Sequence, residues 1–166
     1  GARDLFSTLT EDVRLSTIDY YHYTQLGANK ETDLALLSKD GLRRALYQVV
    51  PNDDLKTIKK TTYFRANTKC PFTELESIEN IASSNLDIGK FQFLISPAQD
   101  PYALDSFDKY ESQLQPQVTF LAEFSGADKF TFPLQASISS RVYTKVDQRD
   151  RINFDKDKGS TVSCEF

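Results

Sequence analysis

The strongest constraint on the fold is a strict alternation of apolar and polar residues late in the chain. One run places apolar side chains at every second position: Val118, Phe120, Ala122 and Phe124. After a turn at 125–128, the run 130–138 repeats the pattern from Phe130 to Ile138. A period of two puts these side chains on one strand face, so the pattern predicts an antiparallel hairpin with one buried face. Pro133 cannot donate a ladder hydrogen bond, which predicts an edge position or a bulge for the second strand.

A second hairpin is predicted earlier in the chain. Apolar runs over 34–37 and 42–50 flank the turn Ser38-Lys39-Asp40-Gly41. Asp-Gly favours a tight turn because both central residues of such a turn adopt positive φ. A short strand is predicted over 56–64 and another over 91–95, where apolar residues alternate. The predicted sheet contains 34–50, 91–95, 118–124 and 130–138, and the aromatic run 19–23 is also β-prone.

Helical spacing marks two other segments. Leu5, Leu9 and Val13 recur at every fourth position with Phe6 beside them, which predicts an amphipathic helix over 3–18. The run 72–84 has apolar residues at 75, 78, 81 and 82, which predicts a short helix. A helix followed by antiparallel strands gives the predicted fold class, α+β, with an N-terminal amphipathic helix packed on an antiparallel β-sheet. The length predicts one domain, 1–166.

The first residues give an expectation about the parent protein. The sequence contains no Met, even at position 1, and the first helix lacks a convincing N-cap. We therefore expect an excised segment whose first helix is the lower half of a longer one; a short native N-terminal helix fits the same pattern. No apolar run approaches the roughly 20 residues that span a bilayer, so any anchor is expected outside this sequence.

Composition excludes some classes of partner. The net charge is −4 with both signs interspersed, which argues against nucleic acid, because its binding needs clustered Lys and Arg. It also argues against a polybasic membrane patch. With 39% hydrophobic residues, a domain of this size can bury a core without metal or dense disulfides.

The two cysteines, Cys70 and Cys164, lie far apart and form no CxxC motif. Two unpaired buried thiols are one interpretation. The other is a disulfide that holds the C-terminal tail, which would otherwise fray. In the chain-entropy model so long a loop gains roughly 4–5 kcal/mol. A disulfide would imply an oxidising compartment.

Candidates for catalysis are few. His22 is the only histidine, so a Ser-His-Asp or Cys-His site would have to use it. It lies within Tyr20-Tyr21-His22-Tyr23, which fits a structural histidine. No GxSxG, P-loop or GxGxxG motif occurs. The carboxylates are scattered, and a glycosidase pair could be formed by acids distant in the chain. We predict that the chain is not an enzyme.

One segment has the alternation of a calcium loop. Asn153, Asp155 and Asp157 could supply oxygen ligands, and Gly159 follows them. In EF-hand spacing the glycine would fall at Lys158, and nearby basic residues dilute the negative field. A solvated charged loop is the alternative. No other metal or cofactor is predicted.

Two surfaces carry weaker interpretations. Arg43 and Arg44 follow the Asp-Gly turn and fit a solvated strand or a local ion pair. The aromatic run 20–23 and the loop 97–110, rich in Pro, Asp and Tyr, could form a ligand surface, although core or rim packing is the simpler interpretation of the aromatic run.

Three stretches resemble the globular part of type IV pilin-like proteins, in particular minor pilins and minor pseudopilins of type II secretion. They are LFSTLTEDVRL at 5–15, LLSKDGLRRALY at 36–47 and FPLQASISSRV at 132–142. The first is similar to the exposed half of the family's long N-terminal helix, the second to its hairpin, and the third to a late strand. The resemblance covers about a quarter of the chain.

The resemblance implies a structural subunit, minor in type, of a type IV pilus, competence pilus or type II secretion pseudopilus. Such a subunit acts by non-covalent filament assembly with other pilin or pseudopilin subunits. It implies an extracytoplasmic headpiece, anchored in the inner membrane before assembly by the missing N-terminal helix segment. It also implies a disulfide that ties down the C-terminal segment. Leu5, Phe6 and Leu9 would then be the assembly interface, with the N-terminal part of the stripe lying beyond the domain.

Two other functions stay open. One is an extracytoplasmic ligand-binding or adhesion domain that uses the 20–23 cluster and the 97–110 loop. The other is a hydrolase with an unrecognised site. The full-length gene separates them: a short basic leader followed by an apolar helix with an early Glu would favour the pilin-like subunit, and a cleavable signal peptide without a retained anchor would favour the others.

Overall fold

The computed structural model describes residues 1–24, 26–82, 86–101, 115–126, 128, 130–140 and 164. Within these ranges the chain forms two short helices, α1 (Ala2–Leu15) and α2 (Tyr20–Thr24). The strands of the same ranges, in chain order, are β1 (Thr17–Ile18), β2 (Asp33–Leu37), β3 (Arg43–Asn52), β4 (Leu55–Phe64), β5 (Glu74–Asn80), β6 (Asp87–Ser96), β7 (Gln117–Ser125) and β8 (Thr131–Ser139).

All eight strands of the described ranges join one antiparallel sheet in the order β1-β2-β3-β4-β6-β7-β8, and β5 pairs with β4 beside this path. Strand β4 changes partner along its length. Its part from Lys59 to Phe64 pairs with β5, whereas Lys56 pairs with Ile88 of β6. As a result β5 branches from the sheet as an additional edge strand.

The core lies between α1 and one face of the sheet. The stripe Leu5, Leu9 and Val13 is buried, with exposed fractions of 2%, 0% and 0%. Burying each such side chain stabilises the fold by roughly 1.5–3 kcal/mol. The Phe6 ring packs against three aromatic rings of the sheet, with centroid separations near 6 Å: Phe91, Phe120 and Phe124. This aromatic cluster fixes how α1 lies on β6 and β7.

A polar contact also joins α1 to the sheet. The Asp12 carboxylate accepts hydrogen bonds from the Tyr47 hydroxyl of β3 and from the Lys60 ammonium of β4, the latter at 2.9 Å. Tyr47 is fully buried, and Lys60 and Asp12 are partly buried. The carboxylate on the helix is therefore satisfied by donors from two neighbouring strands.

The predicted fold class, α+β, is wrong, because the fold is largely β. Only 16% of the described residues are helical, and the second predicted helix, over 72–84, is the strand β5. The error has a physical cause. A bulge at Glu76 places Leu75 opposite Tyr63 and Ile78 opposite Thr61, so two residues three apart share a strand face. That spacing otherwise marks a helix.

The aromatic run 19–23 shows the reverse error, since most of it forms α2. Strand β1 ends at Ile18. Asp19 and the Tyr23 side chain of α2 then make the hydrogen bonds to β2 that a longer β1 would have made. The Asp19 amide donates to Ala35, and the Tyr23 hydroxyl takes over the next positions of β2 by accepting from the Ala35 amide and donating to the Asp33 carbonyl. A side chain here completes the ladder.

The other predicted strands are confirmed as β2, β3, β4, β6, β7 and β8, and β8 with its Pro133 lies at an edge. The Asp-Gly turn differs in detail from the prediction. Gly41 has φ 72°, whereas Asp40 does not share the positive φ. The Asp40 carboxylate instead accepts from the Ser38 hydroxyl and the Leu42 amide, and these bonds lower its pKa.

Candidate functional site

A buried cluster of charged residues lies where α2 packs on β2 and β3. The Arg44 Nε donates to Asp19 Oδ2 at 2.6 Å. The Nη2 of Arg44 contacts the same oxygen without making a hydrogen bond. Arg44 and Asp19 are 5% and 2% exposed, so each charge depends on the other for compensation. Removing one partner of such a pair leaves an uncompensated buried charge.

His22 lies in the same cluster and is also buried. Its Nε2 is 3.7 Å from Asp33 Oδ2, too far for a hydrogen bond, and neither ring nitrogen has a hydrogen-bond partner. Burial lowers the pKa of His22 and the charge of Arg44 lowers it further, against the opposing charges of Asp19 and Asp33. The imidazole is therefore neutral at pH 7, and the geometry fits the predicted structural histidine.

Two guanidinium groups contact the Phe72 ring. The Cζ of Arg44 is 4.4 Å and that of Arg65 is 4.3 Å from the ring centroid. Arg65, 4% exposed, also donates to the carbonyls of Gly41 and Cys70. Cation–π contacts of this kind contribute roughly 0.5–2 kcal/mol each. Arg65 thus ties the Asp-Gly turn to the segment that carries Cys70.

The disulfide between Cys70 and Cys164 is present, with a Cα–Cα distance of 5.6 Å. Cys70 is buried beside Arg65, so the disulfide joins residue 164 to the segment between β4 and β5. Of the two interpretations of the cysteines, the structure selects the disulfide over the unpaired thiols.

The cluster around Arg44 was not found from sequence. The prediction treated Arg43 and Arg44 alike, but adjacent strand residues point to opposite faces. Arg43 is exposed and pairs with Glu76 at 3.1 Å, whereas Arg44 turns inward to Asp19. The available signal was the parity of Arg44 with Leu46, which is buried on the same face.

The predicted assembly interface is corrected by the structure. Leu5 and Leu9 are enclosed by this chain's own sheet, and Phe6 contacts three of its rings. The expectation that Leu5 and Phe6 lie beyond the domain is therefore wrong. The helix has one apolar stripe, and the sheet covers the stripe along its whole length.

Other predicted site residues do not gather into a surface. The aromatic side chains of 20–23 are buried, so they cannot form the proposed ligand surface. Most of the 97–110 loop lies outside the described residues. The calcium candidates Asn153, Asp155 and Asp157 also lie outside them.

Exposed apolar side chains lie on two edge strands. All seven residues of β5 are exposed, including Leu75 at 51% and Ile78 at 55%. At the other edge, Phe130 precedes β8 with 74% exposure, and Leu134 within it is 38% exposed. No strand of the described ranges pairs with the outer edge of β5 or of β8. These edges are the candidate interaction sites of the structure.

Comparisons with protein-family models, curated proteins and solved structures give no match for this chain. Within the described part of the chain, no group of three or more His, Cys, Asp or Glu side chains is arranged to hold a metal ion. The same ranges contain no helix of the length and apolar character needed to span a bilayer.

Proposed function

We propose that this chain is a structural subunit that assembles non-covalently with other proteins through exposed strand edges. The observation that carries the proposal is β5, an edge strand whose residues are all exposed and whose two large apolar side chains face solvent. An open edge offers unpaired amide and carbonyl groups to another chain. Exposed apolar side chains beside such an edge are typical of interaction sites.

A subunit of an open assembly needs two different surfaces, because head-to-tail contacts continue only if each copy offers both. Strand β8 supplies a second candidate edge at the far end of the sheet. Phe130 and Leu134 are exposed there. The edges differ in chemistry, since β5 carries three glutamates and β8 carries none.

The resemblance to type IV pilin-like proteins gives this proposal a specific form: a minor subunit of a pilus or of a type II secretion pseudopilus. Since the α1 stripe is buried, the contacts of the domain in such an assembly would come from the strand edges. The Cys70–Cys164 disulfide supports an oxidising, extracytoplasmic location.

The proposal is tested in cells that produce the protein. Ile78→Ser changes the β5 edge, Phe130→Ser changes the β8 edge, and Leu15→Ser is the control, since Leu15 is exposed at 63% at the end of α1. We expect the native protein to sediment in a complex, and each edge variant to shift toward the monomer with an unchanged melting temperature. A wild-type monomer, or equal loss of the complex in Leu15→Ser, would contradict the proposal.

A further inference from the structure

Strand β5 presents different chemistry on its two faces. Leu75 and Ile78 share the face of Tyr63 and Thr61, their partners on β4. The opposite face carries Glu74 and Glu79, which pair in register with Phe64 and Lys60. The bulged Glu76 reaches Arg43 on β3 at 3.1 Å. The strand is therefore apolar on one side and acidic on the other.

The acidic side is only partly neutralised by this chain. Glu76 has its partner in Arg43. Lys60, the cross-strand neighbour of Glu79, is instead bound to Asp12 of α1 at 2.9 Å. Among the described residues, no basic side chain forms an ion pair with Glu74 or Glu79. Two carboxylates thus remain available beside the free edge.

Among the described strands, none pairs with the outer backbone edge of β5. The seven residues of β5 include no proline, so every amide can donate to the sheet or to an added strand. Strand β8 differs, because Pro133 removes one donor from its edge. An extended peptide that joins an edge gains main-chain hydrogen bonds, and alternate side chains set its specificity.

We propose that β5 receives an extended segment of a partner protein in which basic and apolar residues alternate. This inference rests on the proposed assembly function and names the partner's chemistry at one of its edges. The basic side chains would lie beside Glu74 and Glu79, and the apolar ones beside Leu75 and Ile78. Opposite charges in cross-strand positions stabilise pairing, and like charges destabilise it.

A second copy of this chain fits β5 poorly as its partner. If two β5 strands paired antiparallel about a two-fold axis, the acidic face of one would continue into the acidic face of the other. Glutamates would then face glutamates across the new ladder. Strand β8 of another copy has neither Lys nor Arg to offer. The charge pattern therefore selects a different, basic strand.

The test uses the full, disulfide-bonded chain labelled with ¹⁵N. One probe is a short synthetic peptide that alternates Lys with Val, and its matched control alternates Glu with Val. We expect the Lys peptide to shift the amide resonances of β5 and to slow their hydrogen exchange, with affinity that falls as salt is added. The Glu peptide should leave these resonances unchanged.

A charge-reversed protein, Glu74→Lys with Glu79→Lys, supplies the second arm. Both positions are exposed, and we expect the Lys peptide to bind it roughly tenfold more weakly, while the Glu peptide gains binding. Binding of both peptides alike, shifts confined to β8, or no shift in β5 would overturn the inference.

If the protein assembles in cells through β8 alone, the inference fails and the proposed function stands. If the Lys peptide binds β5 but cells contain only monomer, the proposed function fails instead.

Discussion

His22 illustrates how burial changes the chemistry of one side chain. Its ring lies against Asp33 of β2 and near the Arg44–Asp19 pair, with both nitrogens lacking hydrogen-bond partners. Protonation would add a fourth charge to those of Arg44, Asp19 and Asp33, in a space that water cannot reach freely. Burial therefore lowers the pKa of His22 below its usual value of 6.5.

This lowered pKa predicts a pH dependence of stability. The unfolded chain binds the histidine proton at a higher pH than the folded chain does, so the contribution of His22 is complete above about pH 6.5 and decreases as the pH falls toward the folded-state pKa. We expect the free energy of unfolding to decrease as the pH is lowered from 7.5 to 5, and to decrease less steeply in His22→Gln than in the wild-type protein. Urea titration at each pH measures it. Parallel pH profiles for the two proteins would contradict the expectation.

The Arg44–Asp19 pair shows why a strand residue cannot be interpreted from its type alone. Arg43 and Arg44 are adjacent and chemically identical, yet one is exposed and the other is 5% exposed. Their difference comes from strand parity and from the packing of α2 over one face only. The face that α2 covers belongs to β2 and β3. Arg44 of β3 is distant from α2 along the sequence but near it in space.

Among the elements, α1 carries the clearest energetic prediction. Leu9 is fully buried and Leu15, on the same helix, is exposed at 63%. We expect Leu9→Ala to lower the free energy of unfolding by about 2–5 kcal/mol, because it removes buried methyl groups and leaves a cavity. Leu15→Ala should change it by less than about 0.5 kcal/mol. Urea titration of both variants measures the difference, and equal small effects would mean that the α1 stripe is not part of this core.

Strand β5 shows how an irregularity in pairing changes the meaning of a sequence pattern. Its apolar residues stand three apart, and the bulge at Glu76 brings them to one face. A regular strand would have put Leu75 and Ile78 on opposite faces. The bulge also leaves Glu76 in reach of Arg43, so an exposed ion pair accompanies the change of register.

For the whole molecule, the disulfide joins parts of the chain that are 94 residues apart. In the chain-entropy model a loop of this length restricts the unfolded state by roughly 4–5 kcal/mol. We expect the double variant Cys70→Ala with Cys164→Ala to unfold at a clearly lower urea concentration than the oxidised protein.

Reduction provides the matched comparison. Treating the wild-type protein with a thiol reductant should move its unfolding midpoint to that of the double variant, and the variant itself should not respond. A midpoint that is unchanged by reduction would mean that the link does not restrict the unfolded chain.

Local sequence patterns were enough to predict the strands whose side chains alternate. The alternation in 118–124 and 130–138 predicted β7 and β8, and Pro133 predicted the edge, because a strand exposes its two faces in turn and proline cannot donate within a ladder. The stripe of α1 was also within reach of local pattern, because its residues recur at every fourth position. These features depend on properties of single residues or on fixed spacing along one element.

Contacts between distant parts of the chain fix which surfaces are covered. Leu5 and Phe6 belong to the core because β6 and β7 lie over them. Arg44 and His22 are buried because α2 packs on one face of β2 and β3. Tyr23 ends β1 by bonding to β2. Pairing with β4 makes β5 a strand, and the bulge opposite Thr62 and Tyr63 places its apolar residues on one face. Each outcome depends on residues distant in the chain, whose contacts local periodicity does not encode.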